Sequence, residues 1–144
     1  MYKSTFISLK KDFIRIYTGY RTESWLTIHS KPIYVLPLGS DESVIKKSLI
    51  DCFNQSREIS QKEEDEKYYL GNELLKLLKE KSWKSSYDAS TCQITYNNEN
   101  GFILYFTKYN SKTKSSPIIK EIPLSIKSIV EINVFEILQI LKTI

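Results

Sequence analysis

The stretch TCQITYNNENGFILYFTKY, residues 91–109, decides how the chain folds. Cys92, Ile94 and Tyr96 alternate with the polar Gln93 and Thr95, a period of two that turns one side of a strand toward a core. Asn97, Asn98, Glu99, Asn100 and Gly101 follow as turn residues, and Phe102 to Tyr109 reads as a second strand. Asn100-Gly101 is a strong hairpin signal, because both residue types tolerate positive φ. Two strands joined this closely run antiparallel.

Toward the N-terminus, Thr5 to Ile16 alternates on either side of the charged Lys10-Lys11-Asp12, which predicts two strands with a turn between them. Trp25 to His29 and Ile33 to Leu36 are two further strand candidates. Pro32 and Pro37 bracket the second, so it is expected to be short and at a sheet edge. In KPIYVLPLGSDESVIKKSLIDCF, residues 31–53, Ser40 is expected to cap a helix, with Asp41 and Glu42 against the positive end of its dipole. Val44, Ile45, Leu49, Cys52 and Phe53 form its buried stripe, and the helix fades near Asn54 to Arg57. Leu70, Leu74, Leu77 and Leu78 space a second helix ending around Lys81. Gly71 within it costs up to ~1 kcal/mol relative to Ala, which predicts a close packing contact there. Trp83, in a connector over Ser82 to Ser90, is expected to anchor that helix against the sheet.

Beyond the hairpin, Asn110 to Ser116 reads as a polar loop. Ile118 to Ile126 is a strand whose Pro123 again suggests an edge. Asn133 and Glu136 have the spacing of a capping box ahead of a last helix, with Ile137, Leu138, Leu141 and Ile144 as its buried stripe. Runs of neighbouring strands followed by helices predict an α+β fold. The expectation is one domain, residues 1–144, with a largely antiparallel β-sheet of about five to six strands and about three helices packed on it.

Composition narrows the function classes. The chain has 144 residues, 41% hydrophobic and 26% charged, with ten Tyr and six Phe, as expected of a globular domain rather than a disordered one. No apolar run approaches the roughly 18 residues of a membrane span. The N-terminus alternates instead of forming a continuous apolar segment, so no signal peptide is read and a cytoplasmic location is expected. The net charge is +4, yet only three of the 21 basic residues are arginine, and the lysines are scattered among acids. Groove and phosphate readers gather such charges on one face. A nucleic-acid-binding module using Lys and Tyr therefore stands as an alternative only.

Catalytic motifs are missing. Neither G-x-x-x-x-G-K-[ST], G-x-G-x-x-G nor G-x-S-x-G occurs in the sequence. Cys52 and Cys92 read as reduced core thiols, and the lack of closely spaced ligands argues against a metal. No cofactor is expected. A small enzyme centred on His29, with Lys31 and Arg21 as a phosphodiester site, is a second alternative. It is weakened because His29 is the only histidine and cannot act as both acid and base.

Two segments look suited to recognition instead. Tyr17 to Trp25, YTGYRTESW, concentrates the Tyr, Arg and Trp that carry interface energy, in an expected loop. In it either Trp25 joins the recognition surface or Trp25 and Tyr17 belong to the core and only Tyr20 to Glu23 face water. Arg57 to Lys67, REISQKEEDEK, holds four consecutive acids, Glu63 to Glu66. They read either as a solvated loop with a helix first turn or as an acidic face for a basic partner.

The pieces GYRTESW, PIYVLPLGSDESVIKKSLIDCFNQSREI and KSWKSSYDASTCQITYNNENGFILYF, with the final strand and helix, resemble the immunity proteins of bacterial contact-dependent growth inhibition (the CdiI family). The resemblance covers nearly the whole chain and is most specific at PIYVLPLGSDES with the amphipathic helix and Ser56-Arg57 after it. It implies a protein without catalysis of its own. Such a protein binds and neutralises the cognate toxin domain, commonly a nuclease, at the C-terminus of a large secreted effector. Many nuclease toxins are basic, so a chain of charge +4 would need a local acidic surface to meet one. Glu58, Glu63, Glu64, Asp65 and Glu66, with Tyr20, Arg21 and Glu23, are the candidate toxin-binding residues.

Overall fold

The computed structural model describes residues 1–68 and 71–144, the side chain of residue 68 excepted. The strands β1 (Tyr2–Lys10), β2 (Phe13–Arg21) and β3 (Thr27–Pro37) come first, followed by helix α1 (Glu42–Gln55). A two-residue strand β4 (Arg57–Glu58) leads into three helices, α2 (Gln61–Tyr68), α3 (Gly71–Leu77) and α4 (Trp83–Tyr87). The strands β5 (Ser90–Asn97), β6 (Gly101–Lys108) and β7 (Ile118–Leu124), a single 3-10 turn (Ile129–Glu131) and the helix α5 (Val134–Thr143) complete the described elements. Six strands run in the order β3-β2-β1-β5-β6-β7 with every neighbour antiparallel.

The α+β expectation holds, with more helices than the sequence indicated. Gly101 ends the hairpin turn at φ +68, while Asn97 Oδ1 accepts hydrogen bonds from the amides of Glu99 and Asn100 at 3.0 and 2.7 Å. Both proline-bearing strands, β3 and β7, lie at the sheet edges. The two expected strands before α1 are in fact one. The register steps from Tyr17↔Ile33 to Thr18↔Ser30, so a bulge at Lys31 and Pro32 absorbs the proline without ending the strand. Trp25 and Leu26 fall outside β3, in the turn before it.

Alternation sorts the side chains onto two faces. Ile7, Ile14, Ile16, Cys92, Ile94, Phe102, Leu104 and Phe106 turn to one face. There they meet Ile45, Leu49, Cys52 and Phe53 of α1 and Val134, Ile137, Leu138 and Leu141 of α5. Burying a Leu, Ile or Phe of this kind stabilises by about 1.5–3 kcal/mol. On the opposite face Phe6 and Tyr17 form a smaller cluster with Leu78 and the half-buried Trp83. Trp83 therefore anchors the helices after α1, as expected.

Several local expectations need correction. Asp41, not Ser40, precedes α1, and the Ser40 hydroxyl instead donates to the Pro37 carbonyl at 2.7 Å. Val44 points outward at 45% exposure, and Ser48 takes the buried place with its hydroxyl bonded to the Val44 carbonyl. Leu77 is exposed, while Leu74, Leu75 and Leu78 are buried. The expected position at Leu70 lies outside the described residues. At Gly71 a side-chain carbon would meet Trp83 no closer than 3.9 Å, so no tight contact among the described residues demands glycine there. The capping box belongs to the short turn Ser128–Glu131, and Asn133 caps α5 through the Glu136 amide alone.

Candidate functional site

The strand β2 outruns β1. Its last pairing with β1 is Ser4↔Gly19, and beyond it β4 lies parallel to β2 with Tyr20↔Arg57 and Arg21↔Glu58. Two sequence-distant segments, Tyr20-Arg21 and Arg57-Glu58, are thereby brought side by side. Ser56 locks the join. Its hydroxyl donates to the Gly19 carbonyl at 2.5 Å and accepts from the Ser4 amide at 2.8 Å, both buried. The Ile59 amide adds a bond to the Arg21 carbonyl at 2.9 Å.

After β4 the acid run is helical, and its first acids occupy the expected helix first turn. Ser60 Oγ accepts from the Glu63 amide at 3.2 Å, and Glu63 and Glu64 lie in the first turn, where the helix dipole favours them. Glu63 is turned back onto β4. Arg57 donates to both its oxygens, at 2.9 and 2.6 Å, and this fork holds the Glu63 carboxyl below the usual carboxylate range. Asp65 accepts from Gln61 at 3.0 Å and, like Glu66, is exposed.

The turn between β2 and β3 is braced by its own bonds. The Thr22 amide donates to the Leu26 carbonyl at 2.8 Å, and the Trp25 amide donates to the Thr22 carbonyl at 3.1 Å. Thr22 Oγ1 accepts from the Leu26 amide at 3.1 Å. Trp25 sits at φ 67, a conformation that is an outlier for a bulky residue, and its ring is 78% exposed. Arg21 lies 3.8 Å from the centroid of the Tyr2 ring and 5.5 Å from that of Trp25, with Nη1 donating to the Trp25 carbonyl at 3.2 Å. Arg21, Glu23, Trp25 and Glu58 line one cleft of about 380 Å³ between this turn and β4.

The candidate residues thus divide. Arg21, Glu23 and Glu58 line the cleft beside Trp25, Glu64 and Asp65 line a different cleft with His29 and Trp83, Glu66 is exposed, and Glu63 is turned back onto Arg57. Tyr20 is buried at 8% exposure, beneath Arg57 and Lys67, whose charged groups lie 5.1 and 4.9 Å from its ring centroid. Of the two readings of Tyr17 to Trp25, each is half right: Tyr17 is core, Trp25 is exposed. The adjacent Leu26 is also exposed, a feature that its place in an apparent strand concealed.

His29 lies opposite Gly19 on the face of the smaller cluster. Its ring is 4.5 Å from Tyr17, 5.1 Å from Phe6 and 6.2 Å from Trp83, centroid to centroid. It keeps only a partly exposed edge. Desolvation, aided by the Arg15 charge, lowers its pKa from 6.5 to about 4, so the ring is neutral at pH 7. Neither expected partner joins it. Lys31 pairs with Glu73 at 2.5 Å, and Arg21 is held by Tyr2 and Trp25. Both thiols are buried in the core on the other face, where burial pushes Cys52 up to about 12 and raises Cys92 as well. A Cys/His pair is not assembled, and no cluster of three or more His, Cys, Asp or Glu suited to a metal occurs among the described residues. No described helix is long and apolar enough to cross a membrane.

No protein-family model matches the chain, and no curated protein matches it. Solved structures share its fold. A chain of the CdiA-CT/CdiI toxin and immunity complex from Yersinia pseudotuberculosis aligns at TM-score 0.61 and 12% identity, covering 91% of each chain. A protein of unknown function from Neisseria meningitidis aligns at TM-score 0.59 and 13% identity, covering 91% of this chain and 88% of that one.

Proposed function

We propose that the chain is an immunity protein. It binds and neutralises the toxin domain, expected to be a nuclease, carried at the C-terminus of a contact-dependent growth inhibition effector. The binding surface is the region where β4 fastens the acidic helix α2 beside the Trp25 turn. The single observation that carries this reading is that join, Tyr20↔Arg57 and Arg21↔Glu58, which sets Glu58 in one cleft with Glu23 and an exposed indole and starts the acidic helix α2 directly after it. An apolar anchor flanked by Glu23 and Glu58, with the acids of α2 following, is a fitting receptor for a basic protein surface. The indole supplies burial energy, and the acids supply encounter rate and selectivity. The shared fold with a chain of a toxin and immunity complex supports the same reading.

The mechanism is occlusion. A rigid turn and a helix fastened to the sheet lose little conformational freedom on binding, which favours a tight complex. The test is co-expression with the C-terminal domain of a contact-dependent growth inhibition effector from the same genome. Growth restored by this chain, together with co-purification of the two proteins, is the expected result. Continued toxicity despite soluble expression contradicts it.

A further inference from the structure

A second cleft, of about 440 Å³, opens between α2, α3 and α4, with His29, Trp83, Tyr87, Glu64, Asp65 and Lys67 among its lining. We propose that this cleft is a subsite for one arginine side chain of the bound partner. The inference rests on the immunity reading above and gives it a specific point of contact.

Its wall is aromatic and its rim is anionic. The Trp83 and Tyr87 rings stack at 5.9 Å and 28°, and His29 is tilted against Trp83. His29, whose pKa is lowered to about 4 by burial, is uncharged at neutral pH. Faces of this kind attract a cation laid over them. Two carboxylates line the cleft against a single ammonium, and that of Lys67 lies 4.9 Å from the centroid of the Tyr20 ring. Glu64 Oε2 is shielded from solvent and accepts no hydrogen bond among the described residues. A shielded carboxylate oxygen without a donor is costly, and a ligand bringing a charged donor removes that cost. An anion would meet Glu64 and Asp65, and an apolar group would leave Glu64 as it is. Of the two basic side chains, the planar guanidinium both stacks on rings and donates to a carboxylate, whereas an ammonium keeps its hydration.

The probe is N-acetyl-argininamide, titrated into the Trp25→Phe protein so that Trp83 is the remaining indole. A saturable change in emission on the order of millimolar probe is expected for so small a ligand. Glu64→Gln should weaken it about tenfold or more, and Glu64→Asp should recover part of the loss. N-acetyl-glutaminamide should produce no saturable change. An absent response, one equal for the two amides, or one untouched by Glu64→Gln in a variant with native circular dichroism overturns the subsite. Calorimetry with the effector domain separates the two claims. Binding that Glu64→Gln leaves unchanged refutes the subsite alone, whereas no binding to the unaltered protein refutes the immunity reading.

Discussion

Arg57 grips Glu63 with both ends of its guanidinium, at 2.9 and 2.6 Å, and so ties α2 to the strand that joins it to the sheet. The pair is largely exposed, so its net contribution to global stability is small. Its role is local. Arg57→Ala should shift the melting temperature little, yet raise amide hydrogen exchange across residues 61–68. Unchanged exchange there would show that α2 is held by other contacts.

Gly19 faces Ser4 across β1 and β2, and a side-chain carbon at Gly19 would stand 2.3 Å from Ser4 Oγ and 2.8 Å from the Phe6 ring. Ser56 fixes both backbones, so relief must come from the Ser4 hydroxyl and the Phe6 ring, which are themselves buried. Gly19→Ala should cost about 2 kcal/mol or more in urea denaturation. Ser56→Ala, which orphans two buried backbone groups, should cost about 1–3 kcal/mol. Near-neutral values would mean that β2 and β4 adjust freely.

The α3–α4 connector is bolted to the sheet by charge. Glu80 Oε1 accepts from Lys10 at 2.7 Å and from Arg15 at 2.8 Å, Oε2 accepts from Ser85 at 2.7 Å, and Arg15 Nη2 donates to the Ser86 carbonyl at 2.8 Å. Arg15 is 3% exposed, so removing its counter-charge strands a buried cation. Glu80→Ala should destabilise by about 3 kcal/mol, more than Arg57→Ala. The ordering of the two variants in a denaturant titration checks this.

Acid should weaken the fold in two separable steps. His29 has a folded pKa of about 4 against an ordinary 6.5, so unfolding takes up a proton between those values. Its contribution is complete above about 6.5 and declines as pH falls toward 4. For Glu80, burial alone would raise the pKa, but bonds from Lys10 and Ser85 and the charges of Lys10 and Arg15 outweigh it and hold the carboxyl low. Its contribution is present above the ordinary 4.5 and is lost only below that. Chemical denaturation at a series of pH values should therefore show a slope between 6.5 and 4.5, above the Glu80 step, that His29→Gln abolishes. A slope unchanged in that variant would contradict the buried neutral ring.

Much of this architecture was legible in the sequence. Period-two alternation and Asn100-Gly101 locate the hairpin, and Pro32 and Pro123 mark edge strands because an edge tolerates the lost donor. What escaped depends on tertiary pairing. A two-residue strand such as Arg57-Glu58 has no periodicity to detect, and it is what brings the candidate residues together. Trp25 and Leu26 resemble strand residues by type, and only the bonded turn from Thr22 shows them exposed. Tyr20 looked like loop and is buried because β4 and Lys67 cover it.

The central claim rests on the acids of β4 and α2, and calorimetry with the C-terminal domain of a contact-dependent growth inhibition effector from the same genome tests it most directly. The substitutions Glu58→Lys, Glu64→Lys, Asp65→Lys and Glu66→Lys, made together, spare Glu63 and its fork with Arg57. The unaltered chain should bind one to one, and the fourfold variant, melting as before, should bind about 100-fold or more weakly. Equal affinity of the two proteins would contradict the account.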